Sequence, residues 1–213
     1  MDSRQWTQAS PVAQWSGLWV ALGALGVVAA SVCYALAPPE AALPFPNLNA
    51  ARALGETLVG AAWLRRAGSI GLVADVAAAV GAGMLMSREL NLGHARSASA
   101  WALIALAAFL FVLVDALAAL VLPTLALRNN AVVFEAVRQL FDVHFVLGSL
   151  VYGAGTLLLC ATPVQGDRLA WLARVAGAGL VLGALGYVMG LPTGQLMGLS
   201  VLTASLLLAL MAV

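Results

Sequence analysis

Residues 67–86 read AGSIGLVADVAAAVGAGMLM, and the only charge among them is Asp75. Arg66 stands before the run and Arg88 after it. About twenty apolar residues are what a helix needs to cross the hydrocarbon of a bilayer, and a carboxylate inside such a run is costly enough to need a reason. The pattern recurs twice more: Asp115 lies within Ala100–Leu122, and Asp142 within Val132–Ala161. Further apolar runs extend from Trp15 to Ala37, Leu169 to Leu191 and Gln195 to Val213. Six spans take up most of the chain and leave no room for a second, soluble domain. The sequence therefore predicts an all-α fold, a polytopic transmembrane helical bundle forming a single transmembrane domain over residues 1–213.

Composition agrees. Hydrophobic residues make up 63% of the chain and charged residues 9%, against about 45–50% and about 25% in soluble domains. So few charges could not cover so much apolar side chain in water. The formal net charge of +1 and the lack of any basic block exclude a nucleic-acid partner. Cys33 and Cys160 both fall inside apolar runs and form no C-x-x-C pair, which reads as small buried residues. The first run is too long for the core of a signal peptide, and Pro38 follows the cleavage-like Ala35-Leu36-Ala37, so an uncleaved first span is expected.

Between the first two spans, Pro38, Pro39, Pro44 and Pro46 indicate an extended loop. Asn49 is placed to cap a following helix. From Ala51 to Leu64 that helix is amphipathic, with Arg52 and Glu56 spaced i,i+4. It reads as an interfacial helix on the membrane surface, distinct from the span that starts at Ala67. Pro123 should end the third span, and Pro163 to Asp167 a turn after the fourth. Arginines divide five against five between the two sides: Arg4, Arg88, Arg96, Arg168 and Arg174, then Arg52, Arg65, Arg66, Arg128 and Arg138. The proline-rich first loop looks extracytoplasmic. Together these favour a bacterial inner-membrane protein with both termini in the cytoplasm. Gly179, Gly183, Gly186, Gly190, Gly194 and Gly198 recur every three or four residues, a ladder that reads as close helix packing.

Depth follows from counting. Asp75 is ~13 Å along a helix from Arg66, Asp115 ~11 Å from Leu122, and Asp142 ~15 Å from Val132. These three span ends share one side of the bilayer, so the three carboxylates share a depth. Small residues flank Asp75 and Asp115, as on faces turned towards other helices. Glu135, Arg138, Asp142 and Ser149 fall on one stripe of the fourth span, whereas His144 points elsewhere. Four carboxylates face one firm membrane-depth cation, Arg138. That balance predicts at least one protonated aspartate.

The expected site lies between spans two, three and four. Asp75, Asp115, Asp142 and His144 are the acid–base candidates, and Glu135, Arg138 and Ser149 line it. Three classes of function fit. The first is acid–base chemistry on, or binding of, a lipophilic small molecule such as a lipid or isoprenoid: an isomerase, cyclase or hydrolase. The second is a proton- or ion-coupled transporter or channel, against which stands the lack of a clear inverted repeat. The third is a structural or accessory subunit whose acids only hold the bundle together. Each aspartate taken alone reads as packing; the three at one depth point to a site. Expected partners are membrane lipids, with room for a homo-oligomer. No cofactor is called for. One span histidine cannot hold a bis-histidine haem, the absence of lysine excludes a retinal Schiff base, and carboxylates on separate helices lack diagnostic metal spacing.

Two segments carry a resemblance: Arg66-Ala67-Gly68-Ser69-Ile70-Gly71-Leu72-Val73-Ala74-Asp75, and Phe141-Asp142-Val143-His144-Phe145-Val146-Leu147-Gly148 followed by a glycine-rich fifth span. From about Gly60 to Gly190 the arrangement resembles a widespread bacterial family of six-span integral membrane proteins bearing a domain-of-unknown-function label. The resemblance implies the six-span architecture and lends weight to Asp75 and to Asp142–His144. It implies no activity.

Overall fold

In a computed structural model, described for residues 11–47, 49–161 and 168–212, the chain is helical almost throughout. Six helices are long and apolar enough to cross a membrane, and an even number of crossings puts both ends of the bundle on one side. The helices are α1 (Pro11–Ala35), α2 (Pro39–Ala42), α3 (Ala50–Asn91), α4 (Ala95–Ala116), α5 (Leu122–Leu127), α6 (Ala131–Leu159), α7 (Arg168–Val188) and α8 (Gly194–Ala212). A π-helical turn, Leu117–Val121, joins α4 to α5. The spans close into a ring: α1 packs on α3, α3 on α4, α4 on α6, α6 on α7, α7 on α8, and α8 on α1. Arg4 and the expected turn at residues 163–167 lie outside the described residues.

Two helix boundaries differ from the sequence reading. Residues 51–64 are helical and amphipathic as expected, but they continue into the second span as one 42-residue helix. Leu64-Arg65-Arg66-Ala67 contains no glycine or proline, so nothing there interrupts the hydrogen-bond ladder. At 1.5 Å per residue α3 is ~63 Å long, about twice the hydrocarbon thickness. Residues 51–64 are therefore the first turns of the same helix as the second span. The third span likewise passes Pro123 and runs on to Leu127. A proline lacks the N–H and crowds the carbonyl four residues back. The wider π turn directly before it absorbs that misfit.

The expected cap at Asn49 is present, and Asn130 supplies a second. The Asn49 side chain accepts from the Arg52 N–H at 3.1 Å, and that of Asn130 from the Val133 N–H at 3.2 Å. Arg52 bonds Glu56 at 3.1 Å and also reaches Glu40 of α2 at 3.0 Å. Both cysteines are free. The core runs through Trp101, Ile104, Phe111, Tyr152, Leu180 and Leu208.

Small residues set the helix spacing, as lipid-embedded packing demands. Gly26 of α1 lies on Ala74, and Gly153 of α6 lies on the Gly177 carbonyl of α7. The glycine ladder of the last two spans is packing in the same sense: Gly179 abuts Ser200, Gly183 abuts Met197, and Gly194 abuts the Pro44 carbonyl. Gly190 is different. With φ +83° it makes the turn between α7 and α8, a conformation that suits glycine.

A Cβ on Gly153 would sit 2.7 Å from the Gly177 oxygen, whereas one on Gly55 meets nothing within 4 Å. Gly153→Ala is therefore expected to destabilise by about 1–3 kcal/mol through overpacking. Gly55→Ala should stabilise by about 0.5–1 kcal/mol through helix propensity. Thermal unfolding in a mild neutral detergent reads both, and the opposite order would contradict this packing.

Candidate functional site

Two of the three intramembrane aspartates meet. Asp75 of α3 and Asp115 of α4 are 5% and 6% exposed, and both border one cleft, close enough for each to act on the other's charge. The Tyr34 hydroxyl of α1 donates to Asp115 Oδ1 at 2.6 Å. A tyrosine near the end of a span ordinarily suits the membrane interface; Tyr34 is instead the third member of this cluster. Glycines make the meeting possible. The Asp115 carboxyl lies flat against Gly71, where any Cβ would collide with it. One turn away, Gly68 faces the Asp115 carbonyl and the Ala119 amide just as closely. Asp115 also lies two residues before the π turn, and such turns re-aim neighbouring side chains.

The pair forms the inner wall of a cleft of about 560 Å³ between α1 and α8, within the roughly 300–1,000 Å³ usual for small-molecule sites. Val28, Phe111, Val114, Phe145 and Leu202 give it apolar walls. Pro39, Ala42 and Leu43 line one end of it. Val32 and Leu199 also line it, yet are 57% and 66% exposed. The mouth is thus on the outer face of the bundle, on helices long enough to span, where lipid would lie. Asp75 also touches a small internal void of about 30 Å³, bordered by Trp101, Tyr152 and Ser205. Tyr152 and Ser205 hydrogen-bond across it at 3.1 Å.

Asp142 belongs to a second cluster. The Arg138 guanidinium meets it at 3.2 Å. The same guanidinium donates to the carbonyls of Ala41, at 2.6 Å, and Leu43, and stacks over Phe141 at 4.6 Å. Tyr187 donates to Asp142 and to the Phe45 carbonyl, each at 3.3 Å. The loop read as extended is thus folded into one end of the bundle, with Pro44 fully buried. Beyond the single turn of α2 its prolines leave it without regular structure. Its backbone carbonyls then need donors, because a buried peptide group without a partner costs free energy comparable to a lost hydrogen bond. Arg138 supplies them and Asp142 balances its charge.

The expected single centre is therefore two clusters. Counting along the helices placed the three acids at one depth but carried no information on direction around each axis; of the three, Asp75 and Asp115 share a cleft. Asp142 points to α7 and the loop, and no hydrogen bond or ion pair joins it to the other two aspartates. Glu135 is exposed and takes no part in either cluster. The Nδ1 of His144 bonds the Leu140 carbonyl of its own helix at 2.7 Å, which serves that helix and not the acids. Ser149 is fully buried, with no hydrogen-bond partner for its Oγ among the described residues, and it lies outside the cleft. His94 bonds Glu89 at 2.9 Å in an exposed loop. Among the described residues no three histidine, cysteine, aspartate or glutamate side chains converge as metal ligands would.

The chain as a whole is a multi-pass membrane protein with buried carboxyl groups at its helix interfaces. No family model matches the chain, and no curated protein or solved structure matches it significantly. The resemblance to an uncharacterised six-span family thus contributes only what the helices themselves display, a bundle of six long apolar helices.

Removing one partner of a buried ion pair typically costs about 3–5 kcal/mol. Arg138→Gln is expected to fall in that range, since it strands Asp142 and two loop carbonyls together. Glu135→Gln and His144→Ala should each stay within about 0.5 kcal/mol of the parent. Denaturant titration in detergent distinguishes them. An Arg138→Gln protein as stable as the parent would remove the clamp from this account.

Proposed function

We propose that this chain binds a lipophilic small molecule, lipid- or isoprenoid-like, in the cleft between α1 and α8, and that Asp75 and Asp115 address its polar end. The reading is carried by one observation: a half-enclosed apolar cleft of drug-like volume that opens on the lipid-facing surface and ends on a buried carboxyl pair. A ligand dissolved in the bilayer enters such a cleft sideways. Water is kept from the acids, which strengthens every polar contact they make. Two carboxyls buried side by side are read as holding at least one proton between them, because two like charges in so apolar a site repel each other. One member can then donate a proton to the bound molecule while its partner accepts one. Isomerisation or cyclisation of an unsaturated lipid needs that pairing, and Tyr34 fixes which Asp115 oxygen stays engaged. Asp142, Arg138 and Tyr187 hold the loop at the cleft's end. Both termini are assigned to the cytoplasm, supported by the proline-rich segment between α1 and α3 on the opposite side.

Binding can be measured with a C15 isoprenoid alcohol, using protein in zwitterionic lipid nanodiscs and empty discs as baseline. Saturable binding by the parent is expected. Gly198→Phe, which adds a ring inside the cleft where the nearest neighbour is Leu43 at 3.7 Å, should weaken it by about tenfold or more through lost contact volume and leave the melting temperature unchanged. If the parent shows no saturable uptake above empty discs, the ligand-binding reading fails. Infrared difference spectroscopy reads the shared proton independently. Asp75→Asn or Asp115→Asn should abolish a carboxylic-acid carbonyl band that Asp142→Asn leaves in place. A band indifferent to both substitutions would mean the pair holds no proton.

A further inference from the structure

Building on the proposed ligand site, we propose that the polar end of the occupant is cationic, so that the cleft takes lipophilic amines or ammonium compounds and turns away anionic lipids. The polar groups on the cleft wall are Ser31, Tyr34, Asp75, Asp115 and Gln195. Two of these are acids, and no arginine or histidine lines the cleft. The guanidinium associated with the loop, that of Arg138, is 0% exposed, and its terminal nitrogens face Ala41, Leu43 and Asp142. It is committed to the loop and to its own acid.

No basic group in the cleft can balance an ionised carboxyl of the pair. An unpaired buried charge is costly, so ionising one of the two carboxyls calls for a cation beside it. The Tyr34 hydroxyl donates to Asp115 but carries no charge to offer. The space in front of the pair is apolar. A lipophilic monocation fits both features. Its charge compensates the pair, and its chain replaces lipid against Val28, Val114 and Leu202. Phe111 and Phe145 also line the cleft, 5.8 Å apart and edge to face, and aromatic faces attract a desolvated cation. A phosphate or carboxylate head would instead bring like charge against the pair with no donor but Ser31, Tyr34 and Gln195 to hold it.

One hydrocarbon chain with three heads tests this without changing the shape of the tail. The C15 isoprenoid amine, alcohol and monophosphate are titrated at neutral pH onto the protein in zwitterionic nanodiscs, with empty discs subtracted. The amine should bind about tenfold or more tighter than the alcohol, the ratio that one charged hydrogen bond of ordinary strength supplies. The monophosphate should show no saturable binding. In Asp115→Asn, and separately in Asp75→Asn, the amine's advantage should shrink to about threefold or less, with melting curves reporting whether each variant is folded. A monophosphate that binds as tightly as the amine overturns the inference. So does an advantage of the amine that survives in a folded variant of either aspartate. If the alcohol binds and the amine binds no better, charge selection is wrong and the ligand site stands. If none of the three binds, the site itself is wrong. The three-head comparison on the parent protein needs no variant to fold.

Discussion

Inside a packed bundle no water completes a broken backbone, so every buried peptide group that leaves a helix must be answered from within the protein. The segment between α1 and α3 breaks that rule's easy solution. It carries four prolines among its residues, folds into the bundle end and presents its carbonyls there. Arg138 answers Ala41 and Leu43, Tyr187 answers Phe45, and Asp142 answers Arg138. A planar, permanently charged guanidinium is well suited to this, since its donors are fixed in a fork and its charge is weakly hydrated. The consequence reaches beyond stability. Pro39, Ala42 and Leu43 are part of the cleft wall, so the clamp that satisfies the loop also shapes the end of the cavity.

The carboxyl pair depends on a different constraint, the close approach of α3 and α4. Gly68 and Gly71 leave room for the Asp115 backbone and carboxyl, and the π turn after Ala116 follows directly where the helix must accommodate Pro123. The side chain of Asp115 is thereby held against α3, where Asp75 meets it, and within reach of Tyr34 from α1. Three helices contribute one group each. The two clusters serve distinct ends. One ties its charges off singly against backbone and arginine. The other leaves carboxyls facing an apolar cleft, the arrangement on which the proposed ligand site rests.

Much of this was open to reading along the chain. Run length and the scarcity of charge determine six crossing helices, because a span must be apolar over about twenty residues whatever it packs against. The cap at Asn49 and the Arg52–Glu56 pair depend only on near neighbours, and both are present. The common depth of the aspartates is likewise local arithmetic, a rise of 1.5 Å per residue. Tyr34 was visible as a residue, but nothing in its spacing separates a tyrosine at a membrane interface from one turned inwards to a carboxyl.

What the sequence could not decide is rotation and partnership. The direction a side chain takes around its helix axis is set by which neighbours pack against that helix, and those neighbours come from distant parts of the chain. Packing turned Asp75 and Asp115 towards each other, and turned Asp142 to a loop 97 residues from the arginine that holds both. Packing also left Glu135 exposed despite its place on the same stripe. The continuity of α3 past Arg65 and of the third span past Pro123 belongs with these, since a helix ends where its backbone bonds are better made elsewhere, and only the folded bundle offers or withholds that alternative. Local chemistry thus determined the elements, and the meeting of distant surfaces determined which side chains come together.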